Sequence, residues 1–155
     1  MKSVSTDLTQ MLVLCLFSLA VAGCADYLPT ASGALTGPLA SAPASWTKVA
    51  KQEIIQLETR PEDPYSVNLW IIGQDELLYV FAGDNYATWI EHIDANPDVR
   101  VKMGGSIYLL RASRVTAAEE FERFAQAWEQ KYGNRPRNEN VDETYLMRLT
   151  PRASG

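Results

Sequence analysis

The stretch Ala95-Asn96-Pro97-Asp98-Val99-Arg100-Val101-Lys102-Met103-Gly104-Gly105-Ser106-Ile107-Tyr108-Leu109-Leu110-Arg111-Ala112 decides how this chain folds. Asn96-Pro97 stops a helix, because proline cannot continue one and disfavours helical geometry in the residue before it. Val99 to Met103 then reads as a strand and Ser106 to Ser113 as another. Gly104-Gly105 joins them as a tight turn, where positive φ carries no steric cost.

Upstream, Asn85 to Ala95 has Tyr86, Trp89, Ile90 and Ile93 at helical spacing, with Asp84 placed to cap the first turn. Before it come three strand-like runs, Glu53 to Thr59, Val67 to Ile72 and Leu77 to Phe81. Gly73-Gln74-Asp75 predicts the hairpin between the last two. Downstream, Thr116-Ala117-Ala118-Glu119 has the spacing of a capping box. It opens a helix that runs to Tyr132, with Gly133 as the C-terminal cap. Phe121, Phe124, Trp128 and Tyr132 form its aromatic stripe, read as packing. Asn134 to Asn140 is a polar loop, and Tyr145 to Thr150 a sixth strand halted by Pro151. Six strands and two helices predict a mainly β, α+β domain over 46–152, a six-stranded antiparallel barrel whose openings the helices cover.

The N-terminus carries a different signal. Lys2 precedes an apolar run from Met11 to Ala22, shorter than the ~20 residues that cross a bilayer. Val21-Ala22-Gly23-Cys24 resembles the bacterial lipoprotein box. The resemblance implies that 1–23 is a signal peptide and that Cys24 is lipidated after cleavage. It also implies a protein of the bacterial cell envelope held by its lipid, since two or more acyl chains anchor stably where one does not. Ala25 after the cysteine favours the outer membrane. Residues 25–45 are mostly Ala, Ser, Thr, Gly and Pro with Asp26 the only charge, which predicts a flexible spacer.

The formal net charge is −5, which argues against a nucleic-acid partner. With Cys15 in the signal and Cys24 lipidated, the mature domain has neither a disulfide nor thiol chemistry. His92 is the only histidine, so no zinc site is expected. No hydrolase, phosphate-loop or dinucleotide motif occurs.

The run Trp89 … Ala95-Asn96-Pro97-Asp98-Val99-Arg100-Val101 … Gly104-Gly105 … Tyr108 … Arg111-Ala112 … Val115-Thr116 resembles the split-barrel superfamily. Its members include pyridoxamine-phosphate-oxidase-like and deazaflavin-dependent nitroreductase-like proteins. That resemblance implies a six-stranded split β-barrel, commonly a homodimer, with a flavin or deazaflavin in a groove at the dimer interface or barrel edge. It places Arg60, Gly83, Asp84 and Trp89 as candidate cofactor-binding residues: phosphate near Arg60 and Gly83, the ring against Trp89. Haem binding, known in some split barrels, would have only His92 as a histidine ligand. The link from Thr59 to Ser66 departs from the phosphate-binding pattern, with Arg60 its one cation and Glu62 and Asp63 opposing an anion. The leading expectation is therefore an envelope lipoprotein with a binding or structural barrel, and the alternative a flavin-type oxidoreductase. Trp89 is expected in the core, and Asp84 as a helix cap. Arg100, Arg111 and Arg114 are expected to pair with Glu91, Asp94 and Asp98.

Overall fold

The computed structural model describes residues 33–152. The expected signal segment, Cys15 and Cys24 lie outside the described residues. The strands are β1 (Leu39–Ala40), β2 (Ile54–Thr59), β3 (Tyr65–Gln74), β4 (Leu77–Phe81), β5 (Asp98–Met103), β6 (Ser106–Arg114) and β7 (Leu146–Pro151). The helices are α1 (Thr88–Ala95) and α2 (Ala118–Tyr132), with a 3-10 turn at Val49–Lys51.

Strands β2 to β7 close an antiparallel barrel in the order β6-β5-β2-β3-β4-β7, sealed by pairing of β6 with β7. The expected six-stranded mainly β, α+β barrel is what forms. The reason is strict alternation. Val99, Val101 and Met103 of β5, Leu78 and Val80 of β4, and Met147 and Leu149 of β7 all join one interior cluster. Their outward neighbours on β4 and β7, Tyr79 and Leu146, pack instead under α2, with Phe121, Phe124 and Trp128.

The helices do not share the task expected of them. α1 places Trp89, Ile90 and Ile93 in the interior cluster and closes one end of the barrel. The other end is plugged by Trp46, fully buried and edge-on to Tyr108 at 5.1 Å. α2 lies along the outer flank. Tyr79 and Arg148 fasten it by contacting Glu120 at 3.0 Å. Its last turn completes the sheet. Tyr132 accepts from the Ile71 N–H at 3.1 Å and donates to the Ile71 carbonyl at 2.9 Å. Lys131 donates to the carbonyls of Ala50, Gln52 and Ile71. These side chains satisfy backbone groups that β2 begins too late to reach.

Several local expectations are corrected. Asp84 caps no helix: α1 starts at Thr88, and its N-cap, Ala87, offers no side-chain acceptor. The Thr116 capping box does not form either, because the chain enters α2 through Ala117 without a side-chain cap. Gly133 does end α2, at φ 80°. Gly73 lies within β3, and the positive φ of the hairpin falls on Asp75. What Gly73 permits is close approach: a Cβ there would sit 2.5 Å from Ala50 Cβ and 2.9 Å from the Trp46 carbonyl oxygen. Among the expected ion pairs, Arg111 meets Asp98 at 2.7 Å, whereas Arg100 turns to Glu58. Arg114 donates to the Asp142 and Thr144 carbonyls.

The largest departure concerns the spacer. Its described part is not free: Leu35 is buried, and β1 pairs in parallel with β6. Low apolar content predicted a chain without a core of its own. It borrows the barrel's surface instead.

Candidate ligand-binding cleft

A cavity of about 750 Å³ opens between the outer face of β3 and β4 and the loop that follows α2. Three aromatic rings form its apolar wall. Trp70 comes from β3, where its odd neighbours face the barrel interior and it therefore faces out. Phe81 ends β4, and Trp128 comes from α2. The same three rings wall a smaller hollow of about 220 Å³ that reaches Ile54, Asn68 and Leu69. Trp70 is 51% exposed. It is nonetheless held in place, stacked on Tyr132 at 5.4 Å and tilted against Trp128 at 5.6 Å. A half-exposed indole backed by a second ring presents a flat apolar surface to solvent.

The opposite wall is polar: Asn134, Arg135, Pro136, Arg137 and Asn138. Arg135 is bound to Glu122 and Glu139, and the Glu139 and Glu122 carboxylates push its pKa up. The same guanidinium holds the Glu122 and Glu139 carboxyls below their ordinary range. Arg135 thus serves chiefly to fix the loop. Arg137 is exposed and makes no ion pair among the described residues. It is the cation available to a ligand. Gly83 and Asp84 close the β4 end of the cleft. Gly83 has φ 65° with open space where a Cβ would stand, and its carbonyl accepts from the Tyr145 N–H.

The four sequence-predicted residues therefore divide. Gly83 and Asp84 line the cleft. Arg60 does not: it stands in the β2–β3 turn, paired with Asp63 at 3.0 Å. Trp89 does not either, being 4% exposed inside the barrel, where its helical spacing put it. His92 lies 3.0 Å from the Thr59 hydroxyl and edge-on to Tyr65 at 5.0 Å. Burial, then the Arg60 charge, lowers its pKa. Sequence reasoning missed Trp70, Phe81, Arg135 and Arg137 as site residues and read Trp128 as packing alone. An available signal was Trp70 on the solvent side of a strand, an unusual place for so large an apolar ring.

The arrangement can stack a flat ring and attract an anion. It offers no nucleophile–base pair, and no cluster of three metal-ligating side chains occurs among the described residues.

The fold is that of the split-barrel proteins, and solved structures carry the likeness. One is a candidate pyridoxamine 5′-phosphate oxidase from Listeria innocua, with TM-score 0.54 and 15% identity, covering 68% of this chain and 88% of that one. Another is General Stress Protein 26 from Bacillus anthracis, with TM-score 0.52 and 22% identity over 68% and 84%. A third is an FAD-binding protein from Mesorhizobium loti, with TM-score 0.51 and 19% identity over 69% and 85%. No family model and no curated protein matches the sequence.

Proposed function

We propose that this chain is an envelope lipoprotein, anchored through Cys24, whose barrel binds a flat aromatic cofactor of the flavin class in the cleft. The observation that carries the binding reading is the Trp70–Phe81–Trp128 wall facing Arg137 across about 750 Å³. A ring would lie against Trp70, and a phosphate would lie near Arg137. Ligand pockets of this size ordinarily pair an apolar wall with a few polar groups. The fold shared with an FAD-binding protein supports the same reading. Such a cofactor supplies electron and hydride transfer when bound. This chain's residues supply the stacking surface and the charge, and Asp84 sets a limit by repelling an anion placed close to the β4 end. The outer-membrane location and a homodimer belong to the same proposal. They rest on Ala25 following Cys24 and on the split-barrel resemblance.

A second reading, a barrel that binds or scaffolds without any cofactor, is favoured by Glu62 and Asp63 in the link where relatives grip phosphate. One experiment separates them. The full chain is purified in detergent and titrated with FMN and with FAD, while flavin fluorescence and the visible spectrum are followed. Saturable quenching that Trp70→Ala removes supports the cofactor. A spectrum indifferent to both flavins leaves the second reading standing. Light scattering on the same sample reads the dimer, and loss of membrane association in Cys24→Ser tests the anchor.

A further inference from the structure

A row of three polar side chains crosses the outer face of the barrel. Ser66 on β3 is paired in register with Glu58 on β2, and Glu58 with Arg100 on β5. All three point outward, yet Ser66 is 1% and Glu58 2% exposed. What buries them is the chain's own segment Gly33–Ala42. Ser66 donates to the Gly33 carbonyl. Glu58 accepts the Leu35 N–H, and Arg100 donates to the Leu35 carbonyl at 3.1 Å. Both polar groups of one peptide residue are thus held by one ion pair. The segment continues as β1 beside Ile107 and Tyr108, and the Ile107 N–H reaches the Pro38 carbonyl at 2.8 Å. β7 pairs with β6 only from Leu110 onward, so β1 occupies the edge that the barrel's stagger leaves open.

A carboxylate on the outside of a barrel gains nothing from burial unless its desolvation is offset by charge and hydrogen bonds. Here both are aimed at a backbone. We propose that the Ser66–Glu58–Arg100 row is a docking surface for this segment. Its occupation converts the lipid tether into a short stalk that holds the β2–β5 face toward the bilayer. The stalk rests on the lipid-anchor reading; the docking does not. From Cys24 to Ser45 a free spacer would have 22 residues, reaching at most ~75 Å at ~3.5 Å per residue. Docking at Gly33 leaves the nine residues from Cys24 to Ser32, a maximum of ~30 Å. The lipid surface is thereby the partner of one defined face of the barrel.

The test uses Leu35→Asp, which sets a second carboxylate beside Glu58 and alters no barrel residue. In the Cys24→Ser background, protection from hydrogen exchange, relative to the intrinsic rate, should be greater at the amides of position 35 and of Ile107 than in Cys24→Ser/Leu35→Asp, by roughly tenfold or more. Equal protection overturns the docking. The lipidated full chain is then placed in phosphatidylethanolamine–phosphatidylglycerol vesicles containing a dansyl lipid. Energy transfer from the tryptophans should fall in Leu35→Asp, because the barrel drifts outward on a longer leash. Unchanged transfer, with both proteins floating with the vesicles, overturns the stalk. If the wild-type chain does not float with vesicles, stalk and lipid anchor fall together, while slow exchange at Leu35 would still uphold docking.

Discussion

Glu58 and Arg100 meet at 2.8 Å on neighbouring strands of the barrel's outer face, and between them they hold Leu35 by its N–H and its carbonyl. The pair is therefore not a surface ion pair of the kind worth ~0–1 kcal/mol. Removing one partner leaves the other buried against a backbone it can no longer satisfy. Arg100→Met should cost about 2–3 kcal/mol, at or below the usual range for a broken buried pair because Arg100 is 28% exposed. Glu58→Gln/Arg100→Met should cost less than the sum of the single changes. Urea unfolding of the four proteins checks it, and strict additivity would show that the two groups do not act together.

Tyr132 closes a gap in the ladder, so its hydroxyl should matter more than its ring. Tyr132→Phe leaves the Ile71 N–H without its partner, at about 1–3 kcal/mol. Exchange of the Ile71 amide should speed up far more than that of Val80 inside the barrel. Parallel acceleration of both amides would contradict a local role.

Gly73→Ala pushes a methyl group into the Trp46 carbonyl and the Ala50 side chain. Since one neighbour is backbone, relief requires the Trp46 plug to shift. The expected loss is about 2–3 kcal/mol, with a red shift in tryptophan emission as Trp46 meets water. An unaltered melting temperature and spectrum would mean the approach is looser than described.

His92 should titrate below 6.5, because burial and the Arg60 charge both oppose its protonation. With its folded pKa depressed, it contributes stability above the unfolded value, and this is lost as pH falls through the folded pKa. Since the chain has one histidine, its ring resonance in proton NMR reads the midpoint directly. A midpoint above 6.5 would reverse the sign. Arg60→Ala should raise it.

At the cleft, Arg137→Ala should weaken flavin binding by about tenfold, the worth of one partly exposed charged contact. Trp70→Ala should weaken it at least as much. Arg137→Ala should leave stability nearly unchanged, as its side chain is exposed, whereas Trp70→Ala also loses the packing of its indole on Tyr132 and Trp128 and should lower stability. Arg135→Ala differs, because it frees the loop from Glu122 and Glu139 and should raise its exchange rates. Equal affinity in all three variants would remove the cleft as the flavin site.

The barrel was legible because it is written in local signals. Alternation in Val99-Arg100-Val101, a proline stop at Pro97, a glycine turn at Gly104-Gly105 and a helical stripe at Trp89, Ile90 and Ile93 each report on a few neighbouring residues. Period and turn chemistry suffice to place strands in such a case. The cleft was half legible: Gly83 and Asp84 follow a strand end, but Trp70, Trp128 and Arg137 come from three separate elements. Nothing in their spacing announces that they converge. The spacer was misread for a related reason. Its composition announced no partner, because Ser66, Glu58 and Arg100 lie far downstream, and only closure of the sheet sets them in one row. Sequence alone determined which segments pleat, turn and coil. Tertiary structure decided what each outward side chain faces, because long-range pairing brings together residues between which no local preference exists.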